Sequence, residues 1–433
     1  MKGIARLARC AGRWRFPAWA PWFLGSGRHG AMPTLLAVWL CWCLAGTPFP
    51  VHAAASPKVT APGGPTALGD PFPHRAQLRY ATGFTLSYHD THKEIQVLTP
   101  WRDARVTFTY ILIPQGASPP SSVPPGAMVV EIPVQRVVLG TTTILTFFPM
   151  LGVEETLVGF SGRKLVNTPE VVRLIEEGRI EEVSAGGDGM TRQLNLEMLF
   201  MLQPDLVLVH GTGIPQFDTH PKLLEAGFKT GVAGNYMESS PLARAEWIKF
   251  VAAFFNRENV AEKLFSQMEE SYHAQAERVR GLKDRPTVFC GMPLQSTWYM
   301  PGGGGYIATF LRDAGADYLW SDDDTAGNMA LSVEVVLERA RNADVWINPG
   351  AAGTMDELLG VDERFSLFRA FQTGRVYNNN ARISPGGGND YWETGVGRPD
   401  RVLADLIKIF HPELVPSHEL YWHQKLPWQR GGK

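Results

Sequence analysis

The sequence predicts an α/β protein of two lobes, each with a mainly parallel sheet, joined by a single long linker helix. Three observations carry this. Short apolar strands alternate with amphipathic helices in both halves of the chain, the pattern of parallel sheets covered on both faces. Residues 241–281 interrupt that alternation with continuous helical spacing. One element also recurs: Asn195-Leu196-Glu197 leading to Asp205-Leu206-Val207-Leu208 matches Ser332-Val333-Glu334 leading to Asp344-Val345-Trp346-Ile347. A length of 433 residues accommodates two or three domains.

The elements follow in order. FTLSYHD and KEIQVLTP alternate, and VTFTYILIP is rich in β-branched and aromatic residues, so residues 80–113 read as strands. Residues 115–127 form a Pro/Ser/Gly loop. RVVLG (136–140) is a buried strand, and Thr141, Thr142 and Thr143 stand where a helix would be capped. ETLVGF is a strand. TPEVVRLIEEGRI is a helix with Thr168 at its cap and Pro169 in its first turn. NLEMLFMLQ is a helix stopped by Pro204, DLVLVH a buried strand, PKLLEAG a helix and KTGVA a strand. Trp247, Phe250, Val251 and Phe254, then Val260, Leu264, Met268 and Tyr272, form an apolar stripe at helical spacing. The segment 258–280 would span roughly 35 Å at 1.5 Å per residue. After Pro286 the alternation resumes with TVFCG, IATFLRDAG, SVEVVLERARNA, DVWINPG, a helical stretch at 363–373, RVYNNN and PDRVLADLIKIF.

The first 53 residues read as a signal peptide: a basic start, a short apolar run from Met32 and small residues before Ala54. Translation from Met1 or from Met32 is left open. Residues 54–79 are Ala/Pro/Gly-rich and read as a flexible tether. The expected units are then a first lobe at 80–240, the helical linker at 241–281 and a second lobe at 282–433. Six of the 41 Lys and Arg residues, and none of the 43 acidic ones, precede residue 54. The acidic remainder argues against nucleic-acid binding, which wants a basic face. Cys10, Cys41 and Cys43 lie in the leader, so Cys290 alone remains and no internal disulfide can form. Bulky residues before Cys41 and Cys43 make a lipid anchor a weak reading.

Glu197 and Glu334 occupy equivalent points of the repeated element. An acid in a first helical turn is favoured by the helix dipole alone. Its placement in both halves adds a second meaning: one carboxylate on each lobe tip, offered to a two-fold partner bearing Arg.

Five stretches, in this order, resemble a known family: RVVLGTTT, NLE…QPDLVLV, PLARAEW, LSVEVVLERARNADVWI and GGNDYWETGVGRPDRVLADLIKIFHPEL. They are similar to the substrate-binding proteins of ABC importers for iron complexes (siderophore or haem) and cobalamin, over most of residues 130–412. The resemblance implies the helical-backbone periplasmic binding protein fold. It further implies a monomer of the periplasm that holds a metal chelate or corrinoid in its cleft. Glu197 and Glu334 would then dock on the Arg residues of a dimeric inner-membrane permease. It implies neither a catalytic residue nor a resident cofactor. Residues 80–113 lie outside the family's common pattern.

In two-lobed α/β binders the ligand sits at loops after strand carboxyl ends. Those loops hold Thr141, Thr142, His210 and Tyr236 in the first lobe and Trp298, Tyr299, Tyr306 and Trp392 in the second, the candidate ligand contacts. Aromatic rings with a polar tip suit a bulky amphipathic ligand. Phe160–Gly162, Gly186–Asp188, Asn348–Gly350, Asn378–Asn380 and Asp390-Tyr391 belong to the same set of loops. The run Gly302–Gly305 lacks the Lys-Ser/Thr ending of a phosphate loop and reads as room for a close-approaching ligand. His210 ends a strand without converging donors, so no metal site is assigned. Asp322–Asp324 reads as a solvated loop, and Ser161 does not fit G-x-S-x-G. The rival reading is a two-lobed enzyme with a nucleotide or metal-cluster cofactor in the cleft. A ligand sensor without a permease is a third.

Overall fold

In the computed structural model, residues 70–186 and 193–428 are described. The signal peptide, residues 54–69 of the tether and the Gly187-Asp188 part of one cleft loop fall outside the described residues.

Two five-stranded sheets form the lobes. The first runs Glu181–Glu182, Leu157–Phe160, Val137–Leu139, Leu206–His210, Thr230–Ala233, all parallel. The second runs Asp317–Tyr318, Thr287–Cys290, Val345–Ile347, Val376–Asn378, then an antiparallel edge, Gln424–Lys425. In each lobe the earliest strand lies inside the sheet and later strands add on either side. Each sheet therefore has a switch point, where loops leave in opposite directions and open a crevice. The repeated Asp residues have a repeated task. Asp205 Oδ2 accepts the backbone N–H of Gln135 and Arg136 at 3.0 and 2.9 Å. Asp344 Oδ2 accepts the N–H and hydroxyl of Thr287 at 3.0 and 2.8 Å. Each aspartate thus ties the entry of a central strand to its neighbour.

Two smaller sheets are added. One is antiparallel, Pro293–Leu294, Thr297–Pro301 and Asn328–Ser332. The other is N-terminal, Phe84–Tyr88, Lys93–Val97, Phe108–Pro114 and Met128–Ile132. The N-terminal sheet covers the linker. Phe84 packs 4.7 Å from Trp247, and Tyr110 packs 6.0 Å from Phe254, ring centre to ring centre. This changes the expected stripe. Helix Ile248–Ala253 is buried on every side, because the sheet covers the face that spacing alone leaves to solvent.

The linker comprises Pro241–Glu246, Ile248–Ala253 and the 22-residue helix Glu258–Val279. Only the last is a long rod. Its Ala261, Phe265, Met268 and Tyr272 are buried, and they join the cores of both lobes into one apolar body. Lys93, the first residue of strand Lys93–Val97, anchors its start: the ammonium meets Glu258, Asn256 Oδ1 at 2.7 Å and the Ala253 carbonyl at 3.0 Å. Tyr272 ties the rod to the second lobe, donating to Asp313 at 2.8 Å.

Within residues 70–79, expected in the tether, Phe72 and Ala76 are buried while most of the others are exposed. Two carboxylates hold the chain that follows. Glu246 accepts the N–H groups of Arg79, Tyr80 and Ala81 at 2.7–2.9 Å and pairs with Lys249 at 2.9 Å. Glu238 accepts those of Thr82 and Gly83 and the Trp247 indole N–H. At the other end, Asp405 accepts the N–H groups of Tyr421, Trp422 and His423 and faces the rings of His418 and His423. Burial pushes the Asp405 carboxyl up. The bonds from His418 and His423 outweigh that and hold it well below the usual aspartate range.

Two outcomes are expected. Glu246→Ala leaves three N–H groups and a buried lysine short of a partner and should cost roughly 3–5 kcal/mol in urea unfolding. Asp405, with a depressed folded pKa, stabilises fully above the ordinary value of 3.8 and loses that contribution as pH falls below it. Asp405→Asn should therefore lose about 3 kcal/mol at neutral pH and show a flatter decline of stability below pH 3.8.

Candidate functional site

The first-lobe wall is built at the ends of its central strands. Thr141, which follows Val137–Leu139, sets its hydroxyl 3.1 Å from that of Thr143. Thr143 in turn donates to Asn235 Oδ1 at 3.1 Å, and Asn235 Nδ2 returns a bond to the Thr143 carbonyl. The threonines thus lock one strand end to another rather than capping a helix. That helix starts only at Phe147, because the Thr141–Thr143 run is committed to Asn235. Tyr236 donates to the Gly211 carbonyl at 2.7 Å, and its ring stands edge-on to His210 at 6.5 Å. Thr141, linked through Thr143 to Asn235, thus lies near Tyr236 and His210 at neighbouring strand ends, with Thr142 between the two threonines in sequence.

The second-lobe candidates separate. Trp298 is fully buried. Its indole N–H is spent on the Cys290 carbonyl at 2.8 Å, and its ring packs with Phe289, Trp346, Phe365 and Phe368. It is a core residue. Alternation along Thr297–Pro301 leaves Tyr299 half-buried on the opposite face. Tyr306 is buried against the first linker helix: the Arg244 guanidinium lies 3.7 Å from its ring centre. Arg244 donates to the carbonyls of Tyr236 and Glu238 at 2.7 and 3.2 Å, and burial pulls its guanidinium below the usual range. Tyr306 is also hydrogen-bonded to Tyr391. Trp392, half-buried, packs edge-on against Tyr391 at 4.7 Å.

The glycine run serves the chain itself. A β-carbon at Gly302, Gly303, Gly304 or Gly305 would collide with the carbonyl oxygens of Thr325, Asp323, Asp324 and Ala326 respectively. The loop approaches the Asp322–Asp324 segment so closely that the expected close-approaching ligand is replaced by the backbone.

Sequence reasoning missed a clasp between the lobes. The loop after Leu157–Phe160 meets the loop after Val376–Asn378, both at the mouth. Glu393 accepts the N–H groups of Asn167 and Thr168 at 3.0 and 2.7 Å and the Thr168 hydroxyl at 2.6 Å. Ser384 Oγ and Gly386 N–H both donate to the Lys164 carbonyl, at 2.7 and 3.0 Å. Asn167 Nδ2 donates to the Gly388 carbonyl at 3.0 Å. Thr168 does precede helix Pro169–Glu176 as expected, but it makes no side-chain cap. The opposite lobe supplies the carboxylate there, where the helix dipole favours a negative charge. The readable signal was Gly386-Gly387-Gly388 before Glu393. A β-carbon at Gly388 would overlap the Leu165 carbonyl oxygen.

Glu197 and Glu334 are exposed in the first turns of helices Leu196–Leu202 and Val333–Ala340. Each helix feeds a parallel strand, so its amino end lies at the sheet's carboxyl edge, on the rim of the mouth. Asn195 Oδ1 caps the first, accepting from Glu197 and Met198. Ser332 Oγ caps the second, accepting from Val335. Glu334 pairs with Arg364 at 2.8 Å, and that bond lowers its carboxyl below the usual range. Among the described residues, no group of three or more His, Cys, Asp or Glu side chains is placed to hold a metal ion. Among the same residues, no helix is long and apolar enough to cross a membrane.

Two α/β lobes with facing switch points, held by one long helix, define a two-lobed solute-binding protein. The chain belongs to the periplasmic binding protein family, whose sequence profile matches residues 137–382. An uncharacterized lipoprotein of Methanocaldococcus jannaschii is 24% identical over 309 residues, 69% of this chain and 70% of that one. A second from the same organism is 28% identical over 302 residues, 66% and 72%. A solved periplasmic binding protein from Veillonella parvula superposes with a TM-score of 0.50 at 14% identity, covering 76% of this chain and 98% of that one.

Gly388→Ala should wedge the two mouth loops apart. We expect a loss of about 1–3 kcal/mol and a larger radius of gyration in small-angle scattering. An unchanged radius would show that the lobes do not depend on this contact.

Proposed function

We propose that this protein is the periplasmic substrate-binding component of an ABC importer. It captures an iron chelate (siderophore or haem) or cobalamin between its lobes and delivers it to a dimeric membrane permease. Family membership supports the binding role. The observation that carries the importer role is the matched pair Glu197 and Glu334, each exposed at an equivalent helix start on the mouth rim of its lobe. Exposed opposite charges set orientation and association rate more than raw affinity, which suits a receptor that must dock and leave. The wall formed by Thr141, Thr142, His210 and Tyr236, with Tyr299 and Trp392 from the other lobe, is the proposed ligand surface. Closure is modest, because a helical hinge resists bending more than loose strands do.

The Glu197→Ala/Glu334→Ala double variant should bind ligand with unchanged affinity and lose ligand-stimulated ATP hydrolysis by the reconstituted permease. Full stimulation by the double variant would remove the docking role. Mass spectrometry and absorbance of protein purified from its native host would identify the cargo.

A further inference from the structure

The mouth has two flanks, and the strand orders define them. In the first sheet, Leu157–Phe160 lies to one side of Val137–Leu139, while Leu206–His210 and Thr230–Ala233 lie to the other. In the second, Val376–Asn378 and Asp317–Tyr318 lie on opposite sides of the central pair Thr287–Cys290 and Val345–Ile347. The clasp joins the loops after Leu157–Phe160 and Val376–Asn378, so it fastens one flank. The other flank is crossed by residues 98–106, a loop between strands Lys93–Val97 and Phe108–Pro114 that lies outside the matched family span.

This loop passes over the carboxyl ends of Leu206–His210 and Thr230–Ala233. A β-carbon at Gly234 would sit 2.7 Å from the Thr99 carbonyl oxygen, and one at Gly211 would overlap the Trp101 ring. Tyr236 Oη reaches the Pro100 carbonyl at 3.4 Å. Trp101 is rooted against Phe108 and His220, with ring centres 6.0 and 5.3 Å away. The next residue crosses to the second lobe. A β-carbon at Gly327 would overlap the Arg102 guanidinium. Gly327 belongs to the segment between Asp317–Tyr318 and Asn328–Ser332.

The two fastenings differ in kind. Glu393 is 1% exposed, and it holds its donors in short, charge-assisted bonds away from water. Arg102 is exposed, where water and salt screen its charge and its long side chain keeps rotamer freedom. The turn at the loop's tip contains Asp103 at φ +59 and is closed by a long bond, Ala104 N–H to the Trp101 carbonyl at 3.3 Å. Exposed turns of this kind open at low cost.

We infer that loop 98–106 is the gate of the cargo site: cargo enters and leaves on the flank where Arg102 meets Gly327, while the Glu393 clasp stays fastened. This rests on the receptor reading above. A gate contact is made both before and after cargo binds, so loosening it speeds entry and exit alike. A contact to the cargo itself would instead change the affinity through the exit rate.

The test takes the full chain and two variants that approach the gate from opposite sides, Arg102→Ala and Gly327→Ala, with Glu393→Gln as the clasp variant. Hydrogen–deuterium exchange needs no cargo. Residues 98–104 and 234–237 should exchange at least fivefold faster in both gate variants while 165–168 stay unchanged, and Glu393→Gln should do the reverse. Exchange at 98–104 within twofold of wild type in both gate variants overturns the gate. Stopped-flow binding uses cyanocobalamin, ferrioxamine B and haemin. For a probe that binds, association and dissociation rates should both rise at least fivefold in Arg102→Ala, with the dissociation constant within twofold of wild type. Glu393→Gln should leave the association rate within twofold. Faster association in Glu393→Gln than in Arg102→Ala, or a changed dissociation constant at an unchanged association rate in Arg102→Ala, overturns the gate and leaves the receptor reading standing. Failure of all three probes to bind the wild type overturns both.

Discussion

Buried carboxylates that gather backbone N–H groups hold this chain together. Residues 79–83 lie outside any sheet, so their N–H groups have no ladder to join. Glu246, in the linker, and Glu238, just before it, are buried, and a buried carboxylate without donors is untenable. Each problem solves the other: five consecutive N–H groups meet two carboxylates in short, charge-assisted bonds. The same solution recurs where Glu393 joins the lobes and where Asp405 gathers the C-terminal segment. Glu238, Glu246 and Glu393 connect stretches far apart in sequence, while Asp405 gathers a segment only 16–18 residues further on.

This fastening decides how the lobes can move. The rod is held at its start by Lys93 and Glu258 and near its end by Tyr272 and Asp313. Its inner face is continuous with both cores. Hinge motion usually resides in a few residues that absorb backbone change. Here the positive φ of Asn256, between Ile248–Ala253 and the rod, is the point where the helical path breaks. The clasp at Glu393 lies across the mouth, where a small rotation about the rod has most effect.

The fold was legible where periodicity and punctuation agree. Strands Leu206–His210 and Val345–Ile347, their preceding helices and the repeated Asp could be read directly, because each depends on local spacing. The exposed positions of Glu197 and Glu334 at two matching helix starts were legible from repetition. The nearness of Thr141, His210 and Tyr236 followed from a general rule about strand ends. What stayed hidden depends on partners distant in sequence. Thr168 reads as a helix cap, yet its hydroxyl goes to Glu393, more than 200 residues away. Trp298 reads as a cleft aromatic because it precedes a glycine run, yet alternation within a short antiparallel strand turns it inward. The glycines at 302–305 signal close approach correctly, but no local pattern says that the approaching body is the chain's own 323–326 segment. Lys93, a charge at the start of a strand, gives no hint of Glu258.

The N-terminal sheet has a practical bearing on how the molecule can be handled. The matched family span begins at residue 137, and trimming a recombinant chain to that span would look economical. It would uncover Trp247, Phe250 and Phe254, strip five donors from Glu238 and Glu246, and leave Glu258 without its lysine. Such a fragment would present a greasy, partly charged flank and precipitate. A unit worth producing therefore keeps the N-terminal sheet and the buried Phe72 and Ala76 before it.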